Sequence, residues 1–349
     1  MNLYPVVYFV LTTLFTSVFV NKSVFTKFSS FSFIFLLILL STLRPLGTGS
    51  DDLAYAKIFE STSSLSDYIA TGSVTTYQSF IEPSFLIICM VIKDFGLEVN
   101  AVFFVYTFLS LSLVYKVSRL NNINPILPLF LSFCHSFLFR EMNQIRAGLA
   151  HSIILFVPLY IASSKNFLAS IIIASGVFIH ISALSAAVML FVRRVNMKMF
   201  LLTLCLAIIL RELWGSLFFL KLLPIPIITD KISNYSETFY FREIPLFDIT
   251  NIKNFILSVF FISFLKSKNN TLLNVTIGAF VFGTVFRIFM GDFEIVAGRV
   301  ASFFTNFEIL LIPILAKNLF PSSYPILILC YGSILFVLNL LLKNFTYVY

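Results

Sequence analysis

The stretch of residues 139–190 carries polar side chains that could do chemistry inside an otherwise apolar sequence. They are Arg140, Glu141, Asn143, Gln144, Arg146, His151 and His180. On a single helix of 3.6 residues per turn, Arg140, Gln144 and His151 fall within about 40° of one another, while Arg146 points elsewhere. Ionisable groups inside a bilayer are costly, so by default they mark a functional site. We therefore predict that this stretch forms one wall of a polar cavity.

A second polar group lies in RPLGTGSDD, residues 44–52, after the second apolar run. Arg44, a glycine-rich turn and the carboxylates of Asp51 and Asp52 make a compact polar site, in which a carboxylate can act as a general base. The alternative is a solvated loop anchored at the interface by Arg44. Glu82 begins the next apolar segment and is a further candidate base, or it caps exposed helix N–H groups.

A third cluster, near residue 290, contains two arginines and two carboxylates. Arg287 and Arg299 lie close in sequence, in FRIFMGDFEIVAGR, so a short loop brings them together. An arginine pair suits bidentate binding of phosphate. The alternative is a structural ion-pair network in which Asp292 and Glu294 neutralise the two arginines.

The sequence supports no metal or cofactor site. His135, His151 and His180 are far apart, and no HExxH spacing occurs. No GxSxG, Walker A or GxGxxG pattern is present. The four cysteines lie singly in apolar runs and form no CxxC pair. We therefore expect metal-independent chemistry without a cofactor.

The composition indicates which kind of structural element positions these residues. The chain has 349 residues, of which 59% are hydrophobic and only 11% charged, with a mean hydropathy of +0.97. A soluble protein of this size is about one quarter charged. The net charge of +8 comes without a basic stripe interleaved with aromatic residues, which argues against nucleic-acid binding. We predict one all-α polytopic integral membrane domain over residues 1–349.

A membrane-spanning helix needs about 20 apolar residues, and we predict about twelve such helices (roughly 11 to 14). The predicted spans are 3–20, 28–43, 80–96, 100–116, 123–138, 145–162, 167–191, 198–217, 251–266, 271–290, 300–316 and 323–342. The two long loops between them, 44–79 and 218–250, are predicted to be extracytoplasmic.

Orientation follows from the lysines and arginines of short loops, which favour the cytoplasm. Simple counting fails twice, because Lys116 and Arg119 fall outside, and because one span separates Lys165 from the basic residues after 191. Both failures disappear if segment 80–96 enters and returns, or is a short tilted span with an added crossing, and if 167–191 is two half-helices broken near 176–181. Non-helical backbone at membrane depth is tolerated where it lines a polar cavity.

The chain resembles the EpsG-like, Wzy-type polysaccharide polymerases in an ordered set of short motifs. The matching segments are RPLGTGSDDLAY (44–55), EPSF (82–85), RAGLA (146–150), FIHISAL (178–184), Lys231-Ile232 with Tyr235, and Arg299 before a late span. Ala147 stands where the family has Gln. Gly49 and Ser50 separate Thr48 from the two aspartates, so Asp51 and Asp52 both remain candidates for the family's aspartate.

The resemblance implies a GT-C-like glycosyltransferase in the bacterial inner (cytoplasmic) membrane. Such enzymes join undecaprenyl-diphosphate-linked oligosaccharide repeat units into O-antigen or a related surface polysaccharide, on the outer face of the membrane. The implied partners are the lipid-linked oligosaccharide, the bilayer and a chain-length regulator protein.

The transfer needs cations for the diphosphate leaving group and a base for the acceptor hydroxyl. The candidates for diphosphate binding are Arg44, Arg140, Gln144, Arg146, Arg287 and Arg299. The candidates for the catalytic base are His180, Asp51, Asp52 and Glu82, and all four remain open. Arginine would take the place of Mg²⁺.

Three other functions compete with this one. An O-antigen ligase would use the same donor with a different acceptor. A lipid-linked oligosaccharide flippase or other transporter would spread its polar residues along a path through many spans, whereas here they cluster toward one side. A membrane acyltransferase has no separate support in the sequence.

Overall fold

The computed structural model describes residues 3–20, 23–73, 81–192, 195–215, 243–265 and 270–342. Every regular element within these ranges is a helix, which confirms the all-α prediction. The chain divides into two compact units. Unit 1 comprises 1–156, 172–181 and 312–349, and unit 2 comprises 157–171 and 182–311. Lys231, Ile232, Tyr235 and most of the predicted loop 218–250 lie outside the described residues.

The first ten α-helices carry all of the candidate base residues or flank them. They are α1 (Leu3–Phe15), α2 (Ser23–Thr42), α3 (Asp52–Ser61), α4 (Leu65–Thr71), α5 (Pro83–Asp94), α6 (Val99–Leu120), α7 (Ile126–Ser132), α8 (Ile145–Ile154), α9 (Val157–Ala162) and α10 (Asn166–Ile179). The later described helices are α11 (Met197–Trp214), α12 (Ile249–Leu265), α13 (Thr271–Phe289), α14 (Glu294–Thr305), α15 (Glu308–Leu319) and α16 (Tyr324–Leu342).

The predicted spans all overlap helices, and the chain is a membrane protein. Within the described residues, six helical segments are long and apolar enough to cross a bilayer. They are Val24–Thr42, Val99–Leu120, Ile145–Ala162, Thr271–Phe289, Glu294–Leu319 and Tyr324–Leu341. The larger number of about twelve stays a prediction.

Helices α2 and α6 form an antiparallel pair in unit 1. Near one end of the pair, the Ser41 and Thr107 hydroxyls are 2.8 Å apart. Toward the other end, the rings of Phe31 and Tyr115 stack with their centroids 5.5 Å apart. Residues 43 and 98 therefore lie at one end of the pair, and residues 23 and 120 lie at the other.

Helix α5 is short and stays at the first of these ends. Its twelve residues cover about 18 Å at 1.5 Å per residue, less than the roughly 30 Å of hydrocarbon in a bilayer. At its C-terminal end Lys93 Nζ donates hydrogen bonds to the carbonyl oxygens of Glu60 and Thr62, at 2.8 and 2.5 Å. This geometry fits the prediction that segment 80–96 enters and returns.

The predicted break in segment 167–191 is confirmed. Helix α10 ends at Ile179, and the last bond of its ladder runs from the His180 N–H to the carbonyl oxygen of Gly176 at 2.8 Å. A 3₁₀-helix, Ile181–Leu190, follows. Runs of 3₁₀-helix longer than three or four residues are uncommon, and within a helix they often mark a functional position. His180 therefore stands at a change of helix type.

The helix predicted through Arg140, Gln144 and His151 is wrong at its start. A π-helix, Phe133–Phe137, leads into turns, and α8 begins only at Ile145. The turns form because polar side chains bind different neighbours: Glu141 accepts a hydrogen bond from Ser110, and the Asn143 side chain accepts one from the Asp51 N–H. His151 is 2% exposed, so it belongs to the packed interior and does not line an open cavity.

Unit 2 is built around α13, which packs against α11, α12 and α14. The rings of Phe261 and Phe280 join α12 to α13, with centroids 5.0 Å apart. At Gly283 the contact with α14 is close, because an added Cβ would lie 2.9 Å from the Ala301 carbonyl oxygen. A buried ion pair also ties Lys253 of α12 to Glu308, at 2.5 Å.

Candidate functional site

Three of the predicted site residues meet at the carboxylate of Glu82. One oxygen of Glu82, Oε1, lies 2.8 Å from His180 Nδ1, and the other accepts a hydrogen bond from Arg146 Nη1. Glu82 precedes α5, with Pro83 at the first helical position. The Glu82 side chain makes no capping hydrogen bond. The alternative of a helix cap is therefore wrong, and the carboxylate is directed to two partners distant in sequence.

Arg146 lies among aromatic rings at the start of α8. Its guanidinium carbon is 5.4 Å from the centroid of the Tyr55 ring and 5.4 Å from that of Phe85. These contacts fall within the range of cation–π attraction. Its Nε atom is buried and has no hydrogen-bond partner. The guanidinium is thus held on one edge by Glu82 and retains a donor that the protein does not satisfy.

The electrostatics keep Glu82 ionised. Burial raises the pKa of this carboxyl, but the hydrogen bond from His180 and the charge of Arg146 outweigh burial and lower the pKa to about 2. For its neighbour Tyr55 burial is the dominant effect, and it raises the pKa of the phenol to about 12. At neutral pH, therefore, the carboxylate is charged and the phenol is not.

Arg44 and Asp52 form a separate, fully buried ion pair. Arg44 Nη2 donates to Asp52 Oδ1 at 2.7 Å, and Nε donates to Oδ2 at 3.1 Å. Asp52 Oδ2 also accepts the Gly49 N–H at 2.9 Å. Arg44 covers the ring of Phe103, 3.9 Å from its centroid. The alternative of a solvated loop with an interfacial Arg44 is wrong, because the pair is enclosed by the turn and by α6.

Asp51 lies at the edge of the same turn and is partly exposed. Its N–H donates to Asn143 Oδ1 at 2.9 Å, so the turn before α3 is joined to the turns before α8. Gly49 allows this approach, since an added Cβ would lie 2.7 Å from the carbonyl oxygen of Met142.

Arg140 and His151 contact each other, although Arg140 lies in a turn and not on the helix that was predicted to carry both. Arg140 Nη1 lies 3.0 Å from His151 Nδ1, which is also 2.6 Å from the Ala147 carbonyl oxygen. Burial lowers the pKa of Arg140 to about 10, so it is still cationic at pH 7. Gln144 precedes α8, and its carbonyl oxygen accepts the Gly148 N–H at 2.9 Å.

The arginines of unit 2 have partners other than those predicted. Arg287 donates to Asp248 at 3.0 Å and to Asn251 at 3.0 Å, not to Asp292 or Glu294. Arg287 therefore belongs to a structural ion pair, as the alternative predicted, but its partner is Asp248 and not Asp292 or Glu294. Arg299 is exposed on α14 and forms no ion pair with any residue that the structure describes.

Sequence reasoning missed Arg211, which is 4% exposed and organises part of unit 2. Its Nε donates to Asp292 at 2.7 Å, and its Nη2 donates to Glu243 at 2.8 Å and to the Ile244 carbonyl oxygen at 2.9 Å. The available signal was a charged residue deep in the apolar run CLAIILREL. Arg211 thereby fixes the segment that precedes α12 to the turn between α13 and α14.

The fold and this site define a polytopic α-helical membrane protein with an ionised, partly buried polar cluster at one end of a helix pair. Residues 27–349 match the profile of the EpsG family. The chain belongs to this family, and the resemblance inferred from its motifs is confirmed.

The chain is also similar to the amylovoran biosynthesis protein AmsC of Erwinia amylovora. The two are 25% identical over 288 residues, which is 80% of this chain and 76% of AmsC. No solved structure was found to match the chain.

Proposed function

We propose that this protein is a Wzy-type polysaccharide repeat-unit polymerase of the bacterial inner membrane. It transfers a growing glycan from undecaprenyl diphosphate to a sugar hydroxyl of the next lipid-linked unit, on the outer face. Membership of the EpsG family and similarity to a protein named for amylovoran biosynthesis support this function. The observation that carries it is the convergence of Arg146 and His180 on Glu82.

In this proposal His180 is the catalytic base. An ionised carboxylate only accepts hydrogen bonds, so Glu82 selects the tautomer of His180 with the proton on Nδ1. The lone pair of Nε2 then accepts the proton of the acceptor hydroxyl while its oxygen attacks the anomeric carbon. The bond between that carbon and the phosphate oxygen breaks, and its electron pair leaves with the lipid diphosphate.

The other candidate bases are less suited to this role. Glu82 already accepts hydrogen bonds from Arg146 and His180. Its pKa of about 2 makes it a weak base. Asp52 is saturated by Arg44 and the Gly49 N–H, and has no exposed surface. Asp51 is the remaining alternative, since it is partly exposed.

Arg146 is proposed to stabilise the negative charge that develops on the diphosphate. Its guanidinium is oriented by Glu82 and bordered by rings, and it has one buried N–H without a partner. Fixed cations in a site of low dielectric constant stabilise a developing charge strongly. Arg140 and Arg299 are further candidates for diphosphate binding, while Arg44 and Arg287 are proposed to position the backbone around them.

The function is tested by deleting the gene and separating the surface polysaccharide on a gel. A polymerase predicts loss of the ladder with a single repeat unit retained. Loss of every repeat unit would instead indicate a ligase or a flippase and overturn the proposal. Complementation with Arg146→Ala should leave the single unit although the protein remains in the membrane. Arg146→Lys should rescue poorly, because an ammonium group cannot bind phosphate in a bidentate manner.

A further inference from the structure

A cavity of about 340 Å³ lies in unit 1, at the far end of the α2–α6 pair from Glu82. Tyr106 packs against Phe85, next to Glu82, and Arg119 is at the other end of α6. At 1.5 Å per residue, the two positions are about 20 Å apart along the helix. The cavity is therefore distinct from the proposed active site.

The lining of this cavity is polar and positively charged. Lys27 comes from the first turns of α2, and Arg119 comes from the last turn of α6. Ser30, Tyr115, Asn122 and Asn124 add hydroxyl and amide groups. The lining contains no acidic residue. Two cations that converge on one concave surface concentrate a positive potential there.

No acidic residue of unit 1 within the described ranges lies near Lys27 and Arg119 to neutralise their positive charge. Lys27 and Arg119 form no ion pair with any described residue. The acidic residues of unit 1 all lie in 51–98, apart from Glu141, and therefore belong to the opposite end or to the middle of α6.

The rim of the cavity is a structured turn. Asn122 has a φ of 55°, in the left-handed region, and the chain then bends back so that the Ile123 N–H reaches the Ser118 carbonyl oxygen at 2.9 Å. The Asn124 side chain accepts the Ile126 N–H at 3.2 Å. The amide and cationic groups are thus presented from a defined backbone.

Both helices that line the cavity are candidate membrane spans, and the cavity lies where those spans end. The adjacent surface of α2 is apolar, with Val24, Phe25 and Phe28 exposed by 77%, 46% and 66%. A ligand with a charged head and an apolar tail would match both surfaces. The volume is within the range of ligand pockets, roughly 300–1,000 Å³.

We propose that this cavity binds the phosphate of an anionic membrane lipid headgroup, with Lys27 and Arg119 as the cationic contacts. A lipid headgroup and a free phosphate anion both carry the group that these cations would bind. The exposed apolar side chains beside the cavity favour the lipid.

The test is native mass spectrometry of the purified full-length protein in a neutral detergent. The wild type should retain phosphatidylglycerol in preference to phosphatidylcholine. At about 1 kcal/mol per basic residue near a charged headgroup, Lys27→Gln and Arg119→Gln should each weaken retention about fivefold, and the double variant about 25-fold. Lys116→Gln is the matched control, because Lys116 is exposed on the same helix but does not line the cavity, and it should bind like the wild type.

Equal retention of phosphatidylglycerol by the wild type and the double variant would overturn the proposal. Displacement of the lipid by millimolar inorganic phosphate would also overturn the lipid assignment, since the cavity would then take a soluble phosphate. Size-exclusion elution checks folding. If the double variant does not elute as one species, the two single variants give the same comparison.

Discussion

Glu82 binds two donors at once, and this arrangement determines what each residue of the cluster can do. The carboxylate orients His180 through Nδ1 and Arg146 through Nη1. Neither contact could be assigned from spacing, because the residues are 98 and 64 positions from Glu82.

His180→Gln is expected to abolish polymer formation while the protein stays folded. Glutamine can still hydrogen-bond to Glu82, but it cannot accept a proton near neutral pH. The measurement is the polysaccharide ladder beside the amount of protein in the membrane. His135→Gln, in the π-helix, is the matched control and should give normal chains. A full-length ladder from His180→Gln would rule out His180 as the base and leave Asp51 as the first alternative.

The contribution of Glu82 to stability should be constant at neutral pH and disappear in acid. Its pKa is lowered from 4.5 to about 2 in the folded protein. A lowered carboxyl pKa stabilises the folded state above pH 4.5, and this stabilisation is lost as the pH falls toward 2. The shift corresponds to a contribution on the order of 3 kcal/mol.

Thermal unfolding of the wild type and of Glu82→Gln in detergent measures this effect. The difference between the two proteins should be largest from pH 5 to 8 and should narrow below pH 4.5. A difference that does not change from pH 7 to pH 3 would mean that Glu82 is not the titrating group.

At the scale of the element, the buried Arg44–Asp52 ion pair stabilises the turn between α2 and α3. Asp52→Asn should reduce the free energy of unfolding by about 3–5 kcal/mol, because Arg44 would remain buried without its counter-charge. Asp51→Asn, at the adjacent and partly exposed position, should change stability little. Both are compared by the temperature at which the protein aggregates in detergent. Equal stability of the two variants would show that the Arg44–Asp52 pair does not hold the turn.

The two arginines of unit 2 should also differ from each other. Arg287 joins α13 to the start of α12 through Asp248 and Asn251, so Arg287→Ala should lower stability by about 1–3 kcal/mol and leave part of the activity. Arg299 is exposed and matches a family motif, so Arg299→Ala should be inactive and as stable as the wild type. Ladder length and protein level, measured together, separate the two effects. Full activity in both variants would make both residues structural.

The elements show where sequence reasoning succeeds and where it stops. The length of the apolar runs located the predicted spans, although not α3 and α4 in the predicted loop 44–79, and the misplaced basic residues indicated the break that the structure has at His180. The prediction of a single helix through Arg140, Gln144 and His151 failed, because a π-helix and turns precede the helix that begins at Ile145. There the backbone follows the bonds of Glu141 and Asn143 to other helices, and such long-range partners leave no periodic signal.

The three residues that meet at Glu82 were among the predicted candidates, but their contacts with one another were not predicted. Glu82 and Arg146 were singled out because each is ionisable at the edge of an apolar run, and His180 because it is ionisable inside one. Asp52 was a candidate base for the same reason, yet it is the partner of Arg44. Composition identifies a costly charge, whereas only the fold shows whether that charge is already compensated.

At the scale of the whole molecule, we expect the two ends of the α2–α6 pair to lie on opposite sides of the membrane. Residues 27 and 120 lie at one end of the pair and residue 97 at the other. In a variant without native cysteines, Leu97→Cys should react with an impermeant maleimide in intact cells. Lys27→Cys and Leu120→Cys should react only after permeabilisation, as the basic loops predict. Labelling of residues 27 and 120 from opposite sides would contradict this arrangement.

The shared carboxylate also imposes an order on biosynthesis. Glu82 leaves the ribosome 64 residues before Arg146 and 98 before His180. A carboxylate buried without a partner costs several kcal/mol, so we expect α5 to pack against its neighbours only after α8 is present to supply the compensating arginine. His180 comes last, and the proposed base is therefore added to a carboxylate–guanidinium pair that already exists. A chain interrupted before α10 is complete would hold the pair but lack the proposed base, so we expect that partly made protein to form no polymer in the membrane.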